Sequence, residues 1–180
     1  MEKFNGERTL GFLTSKNYKE ILMKNYSKAQ RNMLVVLRVL IGWHFLYEGF
    51  VKLLNPNWSS IGYLMDSQGF LSGFFHSLAA SPNTLAILDF MNIWGLIAIG
   101  LGLMLGCFTR IALISGIVLL SFYYLSHPPM IGLKYALPME GSYLVVNKIL
   151  IELFMLVVLY LFPTQREIGL DRIIFGKPQQ

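Results

Sequence analysis

The stretch Arg38–Leu54, RVLIGWHFLYEGFVKLL, is oily and long enough to cross a bilayer, yet it carries Arg38, His44, Glu48 and Lys52. A charge near the middle of a bilayer helix costs roughly 2.5–3.5 kcal/mol on insertion scales, so four ionisable groups in one span need a reason. At about 100° per residue the four fall within about 120° of arc, which turns them toward one side of the helix instead of scattering them toward lipid.

The chain around this stretch has the composition of a membrane protein. Of its 180 residues 54% are hydrophobic, and the mean hydropathy is +0.53. Apolar runs able to span recur at 33–54, 85–108, 111–126 and 143–162, because about twenty helical residues cross the hydrocarbon core. The fold class predicted is an all-α membrane protein, a four-transmembrane-helix bundle over residues 33–162, with a basic arm at 1–32 and a tail at 163–180. The polar N-terminal residues carry no cleavable apolar signal, so the first span is expected to direct insertion.

Lys and Arg set the orientation. The arm holds Lys3, Arg8, Lys16, Lys19, Lys24, Lys28 and Arg31, the turn after the second span holds Arg110, and the tail holds Arg166, Arg172 and Lys177. The connection 55–84 has no Lys or Arg and the connection 127–142 has only Lys134. Both termini are therefore expected in the cytoplasm, in a multi-pass protein of a bacterial-type cytoplasmic (inner) membrane. Ser15 is a candidate cap for an amphipathic helix in the arm, lying on membrane lipids. In the first external connection Ile61, Leu64, Met65, Gln68, Leu71, Phe75 and Leu78 recur at helical spacing, with Gly69 and Gly73 as bends, which predicts an interfacial helical lid. The net charge of +5 sits at the ends of apolar runs and not along an aromatic-studded face, so nucleic acid is not an expected partner.

The other spans also carry polar strips: Asp89 with Asn92, Ser121 with Tyr124, and Asn147 with Lys148 and Glu152. With the spans alternating in direction, Lys52, Glu48, Asp89, Asn92, Tyr124, Asn147 and Lys148 come to the outer half of the bundle, and His44 and Glu152 to mid-depth. The strips are expected to meet in one outward-facing polar pocket. Arg38, Lys52 and Lys148 balance Glu48, Asp89 and Glu152, as a buried network needs. Two readings of these charges stand side by side: pairs that only hold the bundle together, with Arg38 and Arg110 as structural charges, and a network that handles a ligand or a proton.

Other chemistries find less support. His44 has no partner at matching depth for haem, and His76 and His127, though both external, lack a third ligand at recognisable spacing for a metal, so neither is predicted. The single cysteine, Cys107, excludes paired-thiol chemistry. Gly95, Gly100, Gly102 and Gly106 read as close helix packing.

Three stretches resemble the DoxX family of small four-helix membrane proteins, which includes a DoxD-like quinone oxidoreductase subunit. They are RVLIGWHFLYEGFVKLL with Arg38, Gly42, Gly49 and Lys52, GLIAIGLGLMLGCFTRIALI with Arg110, and NKILIELFMLVVLYLFPTQREIGLDRI with Asn147, Glu152, Leu170 and Asp171. The arm and the connection 55–84 look like additions to that pattern, and Asp89 or Asn92 stands at its acidic position early in the second helix. The resemblance implies an integral membrane subunit of quinone-dependent redox metabolism, with a quinone or a small substrate as ligand. Glu48 is the expected proton acceptor, His44 a relay, and Lys52 and Lys148 the charges on a bound oxygen. Since no redox centre is encoded, electrons are expected from a redox partner protein or from substrate, and no catalytic residue is assigned, which leaves open a subunit that is not itself catalytic; a homo-oligomer is the other association expected. The rival roles are a membrane scaffold for a partner enzyme and a carrier of a small solute or protons.

Overall fold

The computed structural model describes residues 27–136, 144–165 and 168–174. The arm helix capped by Ser15, the start of the last span at Tyr143 and the end of the tail lie outside them. Within them seven helices follow one another: α1 Lys28–Leu54, α2 Ile61–Met65, α3 Ser72–Ala80, α4 Pro82–Leu105, α5 Thr109–Ser126, α6 Lys148–Leu161 and α7 Asp171–Ile174. There is no strand among the described residues.

Three helices, α1, α4 and α5, are long and apolar enough to cross a membrane. The fourth expected span is shorter than its apolar run. Asn147 does not extend the helix but caps it, its Oδ1 accepting from Leu150 N at 2.9 Å, and Pro163 follows the last turn. The 14 residues of α6 rise about 21 Å, less than the hydrocarbon thickness of about 30 Å.

The other boundaries also move to polar caps. Helix α1 begins five residues before Met33, at a capping box in which Ser27 Oγ accepts from Gln30 N at 3.2 Å and Gln30 Oε1 from Ser27 N at 2.9 Å. Helix α4 starts at Pro82 behind the cap Ser81 and ends at Gly106, whose φ of +66° no branched residue adopts cheaply.

The helices pack about one apolar core. Phe45, Leu103, Leu113 and Leu156 are fully buried at its centre, among Ile41, Leu96, Ile99, Leu120 and Leu159. Close approach of α1 and α4 depends on glycine: a Cβ at Gly100 would lie 2.5 Å from Leu46 N, and one at Gly49 would lie 2.7 Å from Ile97 Cγ1. Gly102 packs on Ala112, whereas a Cβ at Gly95 would meet nothing within 4 Å, so Gly95 does not serve helix packing. Leu40, Trp43, Tyr47, Phe90, Trp94, Ile114, Val118, Phe122 and Phe154 point outward, an apolar circumference suited to lipid.

The first connection folds as two short helices. Helices α2 and α3 are separated by a break at which Gly69 takes φ +97°; Gly73 lies inside α3 and makes no bend. Their apolar residues Leu64, Phe75 and Ala79 form a second core with Leu85, Leu88 and Leu125 from α4 and α5. That contact seats the connection on the ends of two long helices.

Candidate functional site

The helix ends meet at two levels, each organised by one cation of α1. At the end where α1 finishes, half-buried Lys52 donates to Asn92 Oδ1 of α4 at 3.1 Å. Asn92 Nδ2 in turn donates to the Tyr123 hydroxyl of α5 at 2.6 Å. The Lys52 ammonium lies 5.2 Å from the ring of Trp58 and 5.6 Å from that of Tyr123, within cation–π range of both. Lys52 thus uses one of its three N–H donors, and the Tyr123 hydroxyl proton has no acceptor among the described residues. Glu48, one turn earlier on α1, is half-buried and its field reaches both Lys52 and Tyr123.

The cover over Lys52 comes from the connections. Tyr63 of α2 packs on Tyr123 at 5.6 Å and donates its hydroxyl to the Tyr123 carbonyl at 3.1 Å. Its other neighbour is His127, fully buried and stacked between Tyr63 at 4.0 Å and Tyr135 at 4.7 Å. Burial pushes the Tyr63 phenol well above its ordinary range, with Tyr123 and Tyr135 adding to the shift. It raises Tyr135 as well, helped by the charge of Asp66. Burial lowers the His127 imidazole, more than Asp66 restores it.

The remaining expected residues divide among several positions. His44 and Glu152 approach to 3.7 Å between α1 and α6; His44 is 54% exposed on the bundle's flank, and one carboxylate oxygen of Glu152 is buried without a hydrogen-bond partner among the described residues. The fields of Glu48 and Lys148 also reach Glu152. Asp89 binds the start of α2, accepting from Ser60 N at 2.8 Å and from the Ser60 hydroxyl. Tyr124 turns from the network and donates to the Val145 carbonyl at 2.8 Å. Asn147 is spent as the cap of α6. The strips therefore do not close on one pocket: Lys52 and Asn92 meet, His44 and Glu152 meet, and Asp89, Tyr124 and Asn147 each bind backbone. His76 does not meet His127; its Nε2 lies 3.2 Å from the Ser67 carbonyl.

Sequence reasoning passed over Tyr123 in favour of its neighbour, although a signal was present. Leu113, Gly116, Leu120, Tyr123 and His127 are spaced three and four apart along the buried face of α5. Trp58, Tyr63, Asp66 and Tyr135 give no such signal, because their contacts cross from one connection to another.

The opposite end is built around Arg38, buried at 3% exposure. Its guanidinium donates to Thr164 Oγ1 at 3.1 Å and to the Ile168 carbonyl at 2.8 Å. The segment it holds caps two helices. Leu170 N and Asp171 N donate to the carbonyls of Leu105 and Gly106 at the end of α4, at 3.1 and 2.8 Å. The Asp171 carboxylate accepts from Phe108 N at 2.7 Å and Thr109 N at 3.0 Å at the start of α5. Backbone meets backbone here, since a Cβ on Gly106 would lie 2.7 Å from Gly169 Cα and 3.1 Å from Arg38 Nη2. Arg110 stands exposed beside this clasp.

A groove of ≈ 420 Å³ runs along α6, lined by Leu37, Val146, Leu150, Ile151, Phe154, Met155 and Val158. It is apolar and contains none of the residues of either level. Comparison with known proteins found no match among curated proteins or among solved structures. The family model for DoxX matches residues 33–128, more than half of the chain and the part that supplies Arg38, Lys52, Asn92 and Tyr123; this membrane protein belongs to the DoxX family.

Proposed function

We propose that the protein is a membrane subunit of quinone-linked redox metabolism which binds a quinone head group, or a small oxygen-bearing substrate, at Lys52. The supporting observation is the set of donors there that meet no acceptor among the described residues: two Lys52 N–H groups and the Tyr123 hydroxyl, beside the Trp58 ring. A quinone offers carbonyl oxygens to such donors and an aromatic face to such a ring. In this reading the Lys52 end is the outer end, both termini are cytoplasmic, α6 with the residues before it completes a fourth span, and α2 and α3 form the lid, as the Lys and Arg distribution suggests.

A bound quinone would supply the exchange of two electrons and two protons at its ring oxygens. Lys52 holds one of those oxygens and favours negative charge on it, while Asn92 fixes Lys52 and Tyr123 in register. Tyr123 orients the oxygen through its hydroxyl proton. Glu48, whose field already reaches Lys52 and Tyr123, would accept a proton released as the substrate is oxidised and return it to the reduced ring oxygen, and His44 with Glu152 would form a second proton-holding pair deeper in the bundle. Electrons come from substrate or from a partner protein.

A carrier role draws less support from the geometry, because the apolar layer of Phe45, Leu103, Leu113 and Leu156 separates the Lys52 level from the Arg38 level. The test is extraction of the protein purified in mild detergent, with mass spectrometry of the lipid-soluble fraction, beside thermal melting with decylubiquinone. Quinone in the extract and a stabilisation of about 2.7 kcal/mol at a hundredfold excess over the dissociation constant are expected. A quinone-free extract together with an unmoved melting curve would sink the reading.

A further inference from the structure

The two connections at the Lys52 end are fastened to each other and to the end of α5 by a compact set of polar contacts. Ser67 Oγ and Gln68 N donate to the Ser126 carbonyl at 2.8 and 3.3 Å. Asp66 Oδ1 accepts from Ala136 N at 2.9 Å, and the Gln68 side chain donates to the Lys134 carbonyl. At the centre lies His127, with no exposed surface, its Nδ1 3.1 Å from Ser126 Oγ. Its Nε2 is 3.7 Å from Asp66 Oδ2 and has no partner within hydrogen-bond distance among the described residues. On its two faces are Tyr63 and Tyr135, and Tyr63 is also the ring that covers Tyr123 of the Lys52 site.

We propose that His127 is a proton-operated latch: while the imidazole is neutral the first connection is held down over the Lys52 site, and its protonation releases that connection. An imidazolium carries two N–H donors, and among the described residues only one of them, at Nδ1, has an acceptor within hydrogen-bond distance. The group facing the other, Asp66, holds Oδ2 at 3.7 Å, an ion-pair distance longer than a hydrogen bond, while its Oδ1 accepts from Ala136 N; its charge offsets only part of the cost of burying an imidazolium there. A charged N–H with no solvent exposure and no acceptor at hydrogen-bond distance costs more than the tyrosine faces return. Among the described residues the remaining titratable groups against His127 are the phenols of Tyr63 and Tyr135, both held neutral by burial. His76 on α3 is turned to the Ser67 carbonyl.

The sign of the pH dependence follows. The latched imidazole sits below its ordinary value of 6.5, and a released one returns to it. Latching is therefore at full strength above pH 6.5 and weakens as pH falls toward the latched value, the opening constant rising by up to about tenfold per pH unit. Release lifts Tyr63 from Tyr123 and Trp58 from Lys52, so acid on the side of the connections opens the site. What the latch admits rests on the functional reading above; the latch itself does not.

Hydrogen exchange of the full chain in lipid nanodiscs, read by mass spectrometry over residues 61–80 and 127–136 and corrected for intrinsic chemical rates, tests the latch without any ligand. Between roughly pH 7.5 and pH 5.5 the wild type should open more readily by up to about tenfold per unit. His127→Phe, which keeps the stack and cannot titrate, should show no such slope. Asp66→Asn, which keeps the acceptor for Ala136 and removes the charge, should extend the slope to lower pH, and it stands in for His127→Phe if that variant fails to fold. An unchanged slope in His127→Phe, a flat wild type, or exchange that slows on acidification would overturn the proposal. Decylubiquinone that binds at no pH, beside pH-dependent exchange, strikes the functional reading and upholds the latch.

Discussion

Arg38 and Lys52 are cations on the same helix, and the bundle treats them in opposite ways. Arg38 is packed on all sides, with neutral oxygens from Thr164 and Ile168 in the fork of its guanidinium and glycine backbone against its face. Among the described residues Lys52 has one hydrogen bond, two aromatic rings at cation–π distance and two donors without an acceptor. The planar guanidinium suits a fixed set of acceptors, whereas the ammonium on its flexible stem adapts to an acceptor that comes and goes. On the function proposed, the Arg38 end is thus a fastening and the Lys52 end a receptive surface. Substitutions should separate the two, the first damaging stability and the second ligand binding.

The largest loss is expected at Gly106. Its φ of +66° and the 2.7 Å that would separate a Cβ from Gly169 Cα make Gly106→Val both strained and overpacked. A loss of about 4 kcal/mol is expected, read as a fall in melting temperature in lipid or detergent. A variant that melts within about 1 kcal/mol of wild type would break the view that this end is rigidly closed.

Arg38→Met comes next. It removes two hydrogen bonds from a buried cation and orphans the Thr164 hydroxyl and the Ile168 carbonyl, for a loss of about 3 kcal/mol. Arg38→Lys should recover little, because a point charge cannot fill both positions of the fork; full recovery by lysine would erase the distinction from Lys52. Asp171→Ala should cost about 2 kcal/mol by uncapping α5 at Phe108 and Thr109. Asp171→Asn should restore part of this in the same melts, since its side-chain oxygen still accepts.

The spans were legible because apolar length is a local property, and three of the four runs became helices long enough to cross. Their ends were not, since hydropathy does not register a cap: Ser27 and Asn147 look like ordinary polar residues until their side chains are seen on Gln30 N and Leu150 N. The arc on α1 was legible too, because the angle between residues on one helix is fixed by the helix itself. Which neighbour each residue would meet was not. Lys52 found Asn92, Glu152 found His44, and Asp89 was taken up by Ser60. On α5 the choice between Tyr123 and Tyr124 rested on the direction of the buried face, which the run Leu113, Gly116, Leu120 already indicated. Asp171 acts on helix starts more than sixty residues away, and the Tyr63–His127–Tyr135 stack joins two connections. No periodicity encodes contacts of that kind.

The smallest stability effect in the series carries the most information about function. Lys52→Met keeps the stem that packs among Trp58 and Tyr123 and removes the charge, leaving Asn92 Oδ1 without its donor at a position still partly open to water. The loss in folding should be no more than about 1 kcal/mol, because removing a half-buried ammonium relieves its desolvation as it forfeits one hydrogen bond. Decylubiquinone binding, read by titration in nanodiscs, should fall by at least about tenfold, since a charged donor to an oxygen is worth about 1.5–3 kcal/mol. If Lys52→Met instead unfolds the bundle as Arg38→Met does, Lys52 is a second fastening and the contrast between the two ends disappears. If it leaves both folding and binding untouched, the idle donors at this end have no ligand to meet, and the quinone reading goes with them.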